Sequence, residues 1–134
     1  MSKFNKSVKK IIEGKIEPVQ DFPAEDKEQS EIYKTSQEIL NQFTTEIGNM
    51  EKEVYKKHNA TIKQKLGRYI GKELMFKKHD GKVYKNTVTD IEIIDNYGDF
   101  FEVVFFVKNE KGKRMEVYAS NLAGVPKKLL NKYE

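Results

Sequence analysis

Phe100-Phe101-Glu102-Val103-Val104-Phe105-Phe106-Val107 is the densest apolar stretch of the chain, and its reading decides the fold. Seven of its eight positions are apolar, and all seven are β-branched or aromatic. Turn-forming sequences bracket it, Asp95-Asn96-Tyr97-Gly98-Asp99 before and Asn109-Glu110-Lys111-Gly112-Lys113 after. A strand that alternates apolar and polar residues is half buried, whereas one apolar on both sides is covered on both. The run is therefore expected to be a central strand of a small sheet, with cover from elsewhere in the chain.

Working outward, residues 72–78 read as a first strand with Leu74 and Phe76 inward, closed by the hairpin turn His79-Asp80-Gly81. Residues 82–94 read as a longer strand whose apolar period slips between Val88 and Ile91, the mark of a bulge. Residues 114–119 supply a fourth strand, Met115 and Val117 on one face and Glu116 and Tyr118 on the other. Ser120-Asn121-Leu122-Ala123-Gly124 is a turn, and Pro126 opens a short basic helix with Leu129, Leu130 and Tyr133. Four strands on short turns make an antiparallel meander. With its bend in the second strand and the helical turn after the fourth, it resembles an SH3-like or Tudor-type small barrel over about residues 69–133, an architectural likeness with no family motif behind it.

The first half of the chain is helical in pattern. Phe4, Val8, Ile11 and Ile12 fall at helical spacing before Gly14, with Lys3, Lys6, Lys9 and Lys10 on the polar side. A connector with Pro18 and Pro23 follows. From Pro23 to Leu66, Tyr33, Leu40, Phe43, Ile47, Met50 and Val54 keep alternating steps of three and four, the repeat of a coiled-coil seam. The phase survives Gly48, so one long helix of about 60 Å is expected, at about 1.5 Å per residue. That exceeds what a small sheet covers and implies a partner for the seam. The fold class is α+β, with a helical region over residues 1–66 and a β-barrel-like domain over 67–134.

Charge runs unevenly along the helix. Nine acids and three lysines occupy residues 21–53, and five cations with no acid occupy 54–68. Dipole complementarity and antiparallel self-association both account for this. The whole chain of 134 residues carries a net charge of +4, too mild to announce nucleic acid by itself. It has no cysteine, which excludes disulfides, thiolate metal sites and a thiol nucleophile. The opening residues lack the apolar core of a signal peptide, and no run reaches membrane-span length. An intracellular, cytoplasmic location is expected, and the sequon Asn59-Ala60-Thr61 is then a chance match.

No phosphate-binding loop, nucleophile elbow or metalloprotease motif is present. His58 and His79 are the only histidines, and Asp90, Glu92, Asp95 and Asp99 lack the spacing of a calcium loop. The sequence thus predicts no catalytic or metal residue, no cofactor and no enzyme. What remains is binding. The seam Tyr33, Leu40, Phe43, Ile47, Met50 and Val54 predicts a protein partner, including a second copy of the chain. Basic residues interleaved with an aromatic (Lys56, Lys57, Arg68, Lys72, Lys77, Lys78, Lys82, Tyr84 and Lys85) predict nucleic acid as the alternative. The composition, rich in Lys, Asn and Ile, suggests an accessory protein of a phage or mobile element that modulates a host protein or nucleoprotein complex. Assembly through the seam into a structural component is a further alternative.

Overall fold

The computed structural model describes residues 25–96 and 100–133, so the expected N-terminal helix, the connector with its prolines and the turn at 97–99 lie outside the described residues. Two helices, α1 (Lys27–Glu46) and α2 (Glu51–Leu66), precede strands β1 (Glu73–Lys77), β2 (Val83–Asn96), β3 (Phe100–Lys108) and β4 (Arg114–Tyr118), and helix α3 (Lys127–Tyr133) closes the chain. The strands form one antiparallel sheet in the order β1-β2-β3-β4. The meander and the interior position of the 100–107 run stand as expected. The sheet curls into a half-barrel.

The expected single helix is instead two. Asp26 is the N-cap of α1, its carboxylate accepting from the Gln29 N–H at 3.0 Å. At the other end Gly48 and Asn49 are poor helix formers, and Met50 adopts the left-handed region at φ 51°. That turn folds α2 back along α1. A 3.5-residue stripe looks the same whether the helix runs on or doubles back, which is why the pattern did not reveal the break. Because a side chain with a Cβ in the left-handed region costs about 1–2 kcal/mol, Met50→Gly should stabilise the chain by about 0.5–1 kcal/mol once glycine's extra unfolded-state entropy is subtracted. A raised denaturant midpoint with an unchanged slope would register it.

The helical hairpin covers the inner face of the sheet. Ile32, Tyr33, Ile39, Leu40 and Phe43 of α1 share one core with Val54, Ile62 and Leu66 of α2 and with Phe76, Ile91, Ile93, Val103, Phe105 and Val107 of the sheet. Phe76 and Phe105 meet across it at 5.6 Å between ring centroids. The bulge expected in the second strand sits between Val88 and Asp90, and Thr89 donates its hydroxyl to the Phe106 carbonyl at 3.0 Å. The upper half of β2 pairs with β1. Beyond the bulge, Asn59 of α2 accepts from the Ile93 N–H at 2.8 Å. Lys63 lies 3.8 Å from Asp90 and 3.4 Å from Glu92. Asn59 is thus a structural acceptor.

The outer face of β3 is buried unevenly, Phe100 being 50% exposed. Val104 is buried there between Glu92 of β2 and Tyr118 of β4, and Phe106 is half-buried between Asp90 and Glu116.

After β4 the 3-10 turn Ala119–Asn121 returns the chain to β1, where Leu122 bridges Phe76 and the Ala123 N–H donates to the Met75 carbonyl at 2.9 Å. Gln29 completes this closure. Its side-chain oxygen accepts from the Met75 N–H at 2.8 Å, and its amide nitrogen donates to the Ala123 carbonyl. One carboxamide therefore acts as a strand residue between two backbones.

Candidate functional site

The seam residues go inward. Tyr33, Leu40, Phe43 and Val54 are buried in the chain's own core, and Ile47 is half-buried. Only Met50, at the hairpin tip, is well exposed, at 76%. The apolar stripe that implied a missing partner is largely covered by the sheet. Where α1 meets α2, Phe43 packs edge-on against Tyr55 and His58. The His58 Nε2 sits 2.7 Å from Glu46 Oε2, and Lys57 reaches the same carboxylate at 3.2 Å. These hydrogen bonds, from His58 first and Lys57 second, hold the Glu46 carboxyl below the usual carboxylate range. The pair bridges the two helices close to their turn.

The basic residues separate into three places. Lys56 and Lys57 are exposed on α2, with Lys57 paired to Glu46. Arg68 and Lys72 flank the buried ring of Tyr69, at 5.0 Å and 5.6 Å from its centroid, and Arg68 Nη2 donates to the Tyr69 hydroxyl at 3.1 Å. Lys77, Lys78, Lys82, Tyr84 and Lys85 belong to the first hairpin.

That hairpin is not alone. Antiparallel order puts the β1–β2 and β3–β4 turns at the same end of the sheet, with Thr87 opposite Lys108 and Lys108 opposite Arg114. The two loops share one design: the Lys78 N–H bonds the Lys82 carbonyl and the Asn109 N–H the Lys113 carbonyl, with Gly81 and Gly112 at φ 82° and 80°. Residues 77–85 and 108–114 together hold eight Lys and Arg against two acids, Asp80 and Glu110. Asp80 faces its own loop. It accepts from the Lys82 N–H at 2.8 Å and the Tyr84 hydroxyl at 3.0 Å, and these bonds, the backbone one foremost, lower its carboxyl pKa. Among the described residues none of the eight cations forms an ion pair, whereas Lys57 and Lys63 both do.

The sequence reading named Lys77, Lys78, Lys82 and Lys85 for this surface and omitted Lys108 and Lys111. The signal was available, since any meander of four strands places its first and third turns together. Tyr84 is not a free stacking platform. It is half-buried, with the Lys78 ammonium 4.4 Å from its ring centroid. Lys78 also reaches across the half-barrel to Met115 Sδ at 3.6 Å.

Beside the first hairpin lies a cleft of about 740 Å³. Lys77, Lys78, His79, Lys127 and Lys128 line it. Leu122, Ala123, Val125 and Pro126 line it too, and among the described residues Glu25 is the only carboxylate that does. Among the described residues no helix is long and apolar enough to cross a membrane. Comparison with protein-family models, with curated proteins and with solved structures finds no match.

Proposed function

We propose that the chain is a non-enzymatic binding module whose hairpin end engages a polyanion, the phosphate backbone of a nucleic acid. The supporting observation is the eight cations of two hairpins, none in an ion pair among the described residues, set against carboxylates of which one is already committed to its own loop. Lysines that meet phosphates displace the counterions condensed on the nucleic acid, and that release drives association. The absence of any nucleophile–base constellation in the sequence supports binding over catalysis. The half-barrel is read as SH3-like, supported by the 3-10 turn after β4 and the return of Leu122 to β1. An accessory protein of a phage or mobile element fits this reading, the polyanion then belonging to the nucleoprotein complex it modulates.

A protein partner is the second reading. With most of the seam buried, its surface would be centred on Met50 and on Phe100, which is 50% exposed.

Fluorescence anisotropy with a labelled oligonucleotide tests the first reading. Affinity should fall linearly, on logarithmic axes, between about 50 and 200 mM salt. Lys77→Ala, Lys82→Ala and Lys113→Ala together should lower the slope by about 2, at about 0.7 per phosphate contact on a single strand. Lys56→Ala should leave it unchanged. No binding at the lowest salt, or a triple variant indistinguishable from wild type, overturns the proposal.

A further inference from the structure

Resting on that reading, the cleft beside the first hairpin narrows the ligand class. We infer that it receives a base from single-stranded nucleic acid, whose flanking phosphates run onto the two hairpins. The lining is divided in a way a phosphate alone does not require. It joins Lys77, Lys78, Lys127 and Lys128 with apolar residues, of which Leu122 and Ala123 are buried and Val125 and Pro126 half-buried. A flat apolar ring joined to an anion matches that division. At about 740 Å³ the cleft falls within the size range of small-ligand sites.

Asn121 adds a polar group. The residue lines the cleft half-buried and its side chain makes no hydrogen bond among the described residues, which leaves its donor and acceptor available to a base edge. A duplex keeps its bases stacked and paired, and extruding one is costly. A single strand offers them freely. The cleft therefore discriminates strandedness, which the hairpin cations alone do not.

The experiment compares three labelled probes of equal length at one salt concentration: oligothymidylate, the same backbone with abasic sites, and a duplex. Oligothymidylate should bind about 10-fold tighter than the abasic strand and tighter than the duplex. Asn121→Asp, which alters one exposed-edge amide without changing its size, should reduce oligothymidylate to the abasic level while leaving abasic binding within about 2-fold, because it adds one charge among many. Equal affinity for all three probes overturns the base cleft and leaves phosphate binding standing. A thymidylate preference that survives Asn121→Asp also overturns it. Failure of every probe to bind removes both proposals.

Discussion

Phe43→Lys is expected to unfold the chain, not to dissociate it. Phe43 is fully buried, and its ring lies 4.8 Å from Tyr55 and 5.1 Å from Phe101, centroid to centroid. Removing a buried phenyl ring costs about 3–5 kcal/mol before any charge is considered. The lysine ammonium then has no carboxylate within that apolar cluster. Glu46, one turn on along α1, is already held by His58 and Lys57. Against a total stability of about 5–15 kcal/mol, the sum is enough to lose the native state. Ile47→Lys is the control. Ile47 lies on the same stripe but is only half-buried, at the edge of the core near the helical turn, so its replacement should cost about 1–2 kcal/mol and leave the chain folded. Light-scattering mass and circular dichroism read both variants. A wild-type dimer that Phe43→Lys turns into a folded monomer would reinstate the seam as an assembly surface and refute the intramolecular hairpin.

The contrast between the sheet and the helices shows which features a sequence carries. The sheet was legible because its punctuation is local. Asp80-Gly81 sets a left-handed residue in the first hairpin, and the slip after Val88 is the bulge itself. The density of the 100–107 run identified an interior strand. The helices were less legible because their decisive residue is not local in effect. Met50 turns the chain, yet nothing in methionine announces a positive φ, and Gly48-Asn49 gave only a weak point. Tyr33, Leu40 and Phe43 read as a seam for a partner, and they lie in one core with the chain's own sheet. The basic end was half legible for a similar reason. Lys77–Lys85 are neighbours in sequence, whereas Lys108 and Lys111 join them only through strand pairing.

Gln29→Leu should destabilise the chain by about 2–5 kcal/mol although it keeps the side chain's approximate volume. The glutamine is 3% exposed and lies on the apolar stripe of α1, three residues before Ile32, where a polar residue is unexpected. Its carboxamide satisfies the Met75 N–H and the Ala123 carbonyl, two groups on segments that otherwise share the Ala123 N–H to Met75 carbonyl bond and the Phe76–Leu122 bridge. A leucine leaves both unpaired away from water, at about 1–3 kcal/mol each. The loss should fall on the closing segment first. Hydrogen exchange at Met75 should quicken more than at Ile91 in the middle of β2, because only the former depends on Gln29. Gln29→Glu separates hydrogen bonding from packing. At neutral pH an ionised carboxylate can accept from Met75 but repels the Ala123 carbonyl. Burial raises its pKa, so the folded state takes up a proton before the unfolded state does, and the protonated acid donates to Ala123. Stability of Gln29→Glu relative to wild type should therefore rise as pH falls, whereas that of Gln29→Leu should stay constant. A Gln29→Leu variant as stable as wild type would mean that the half-barrel closes without the side chain.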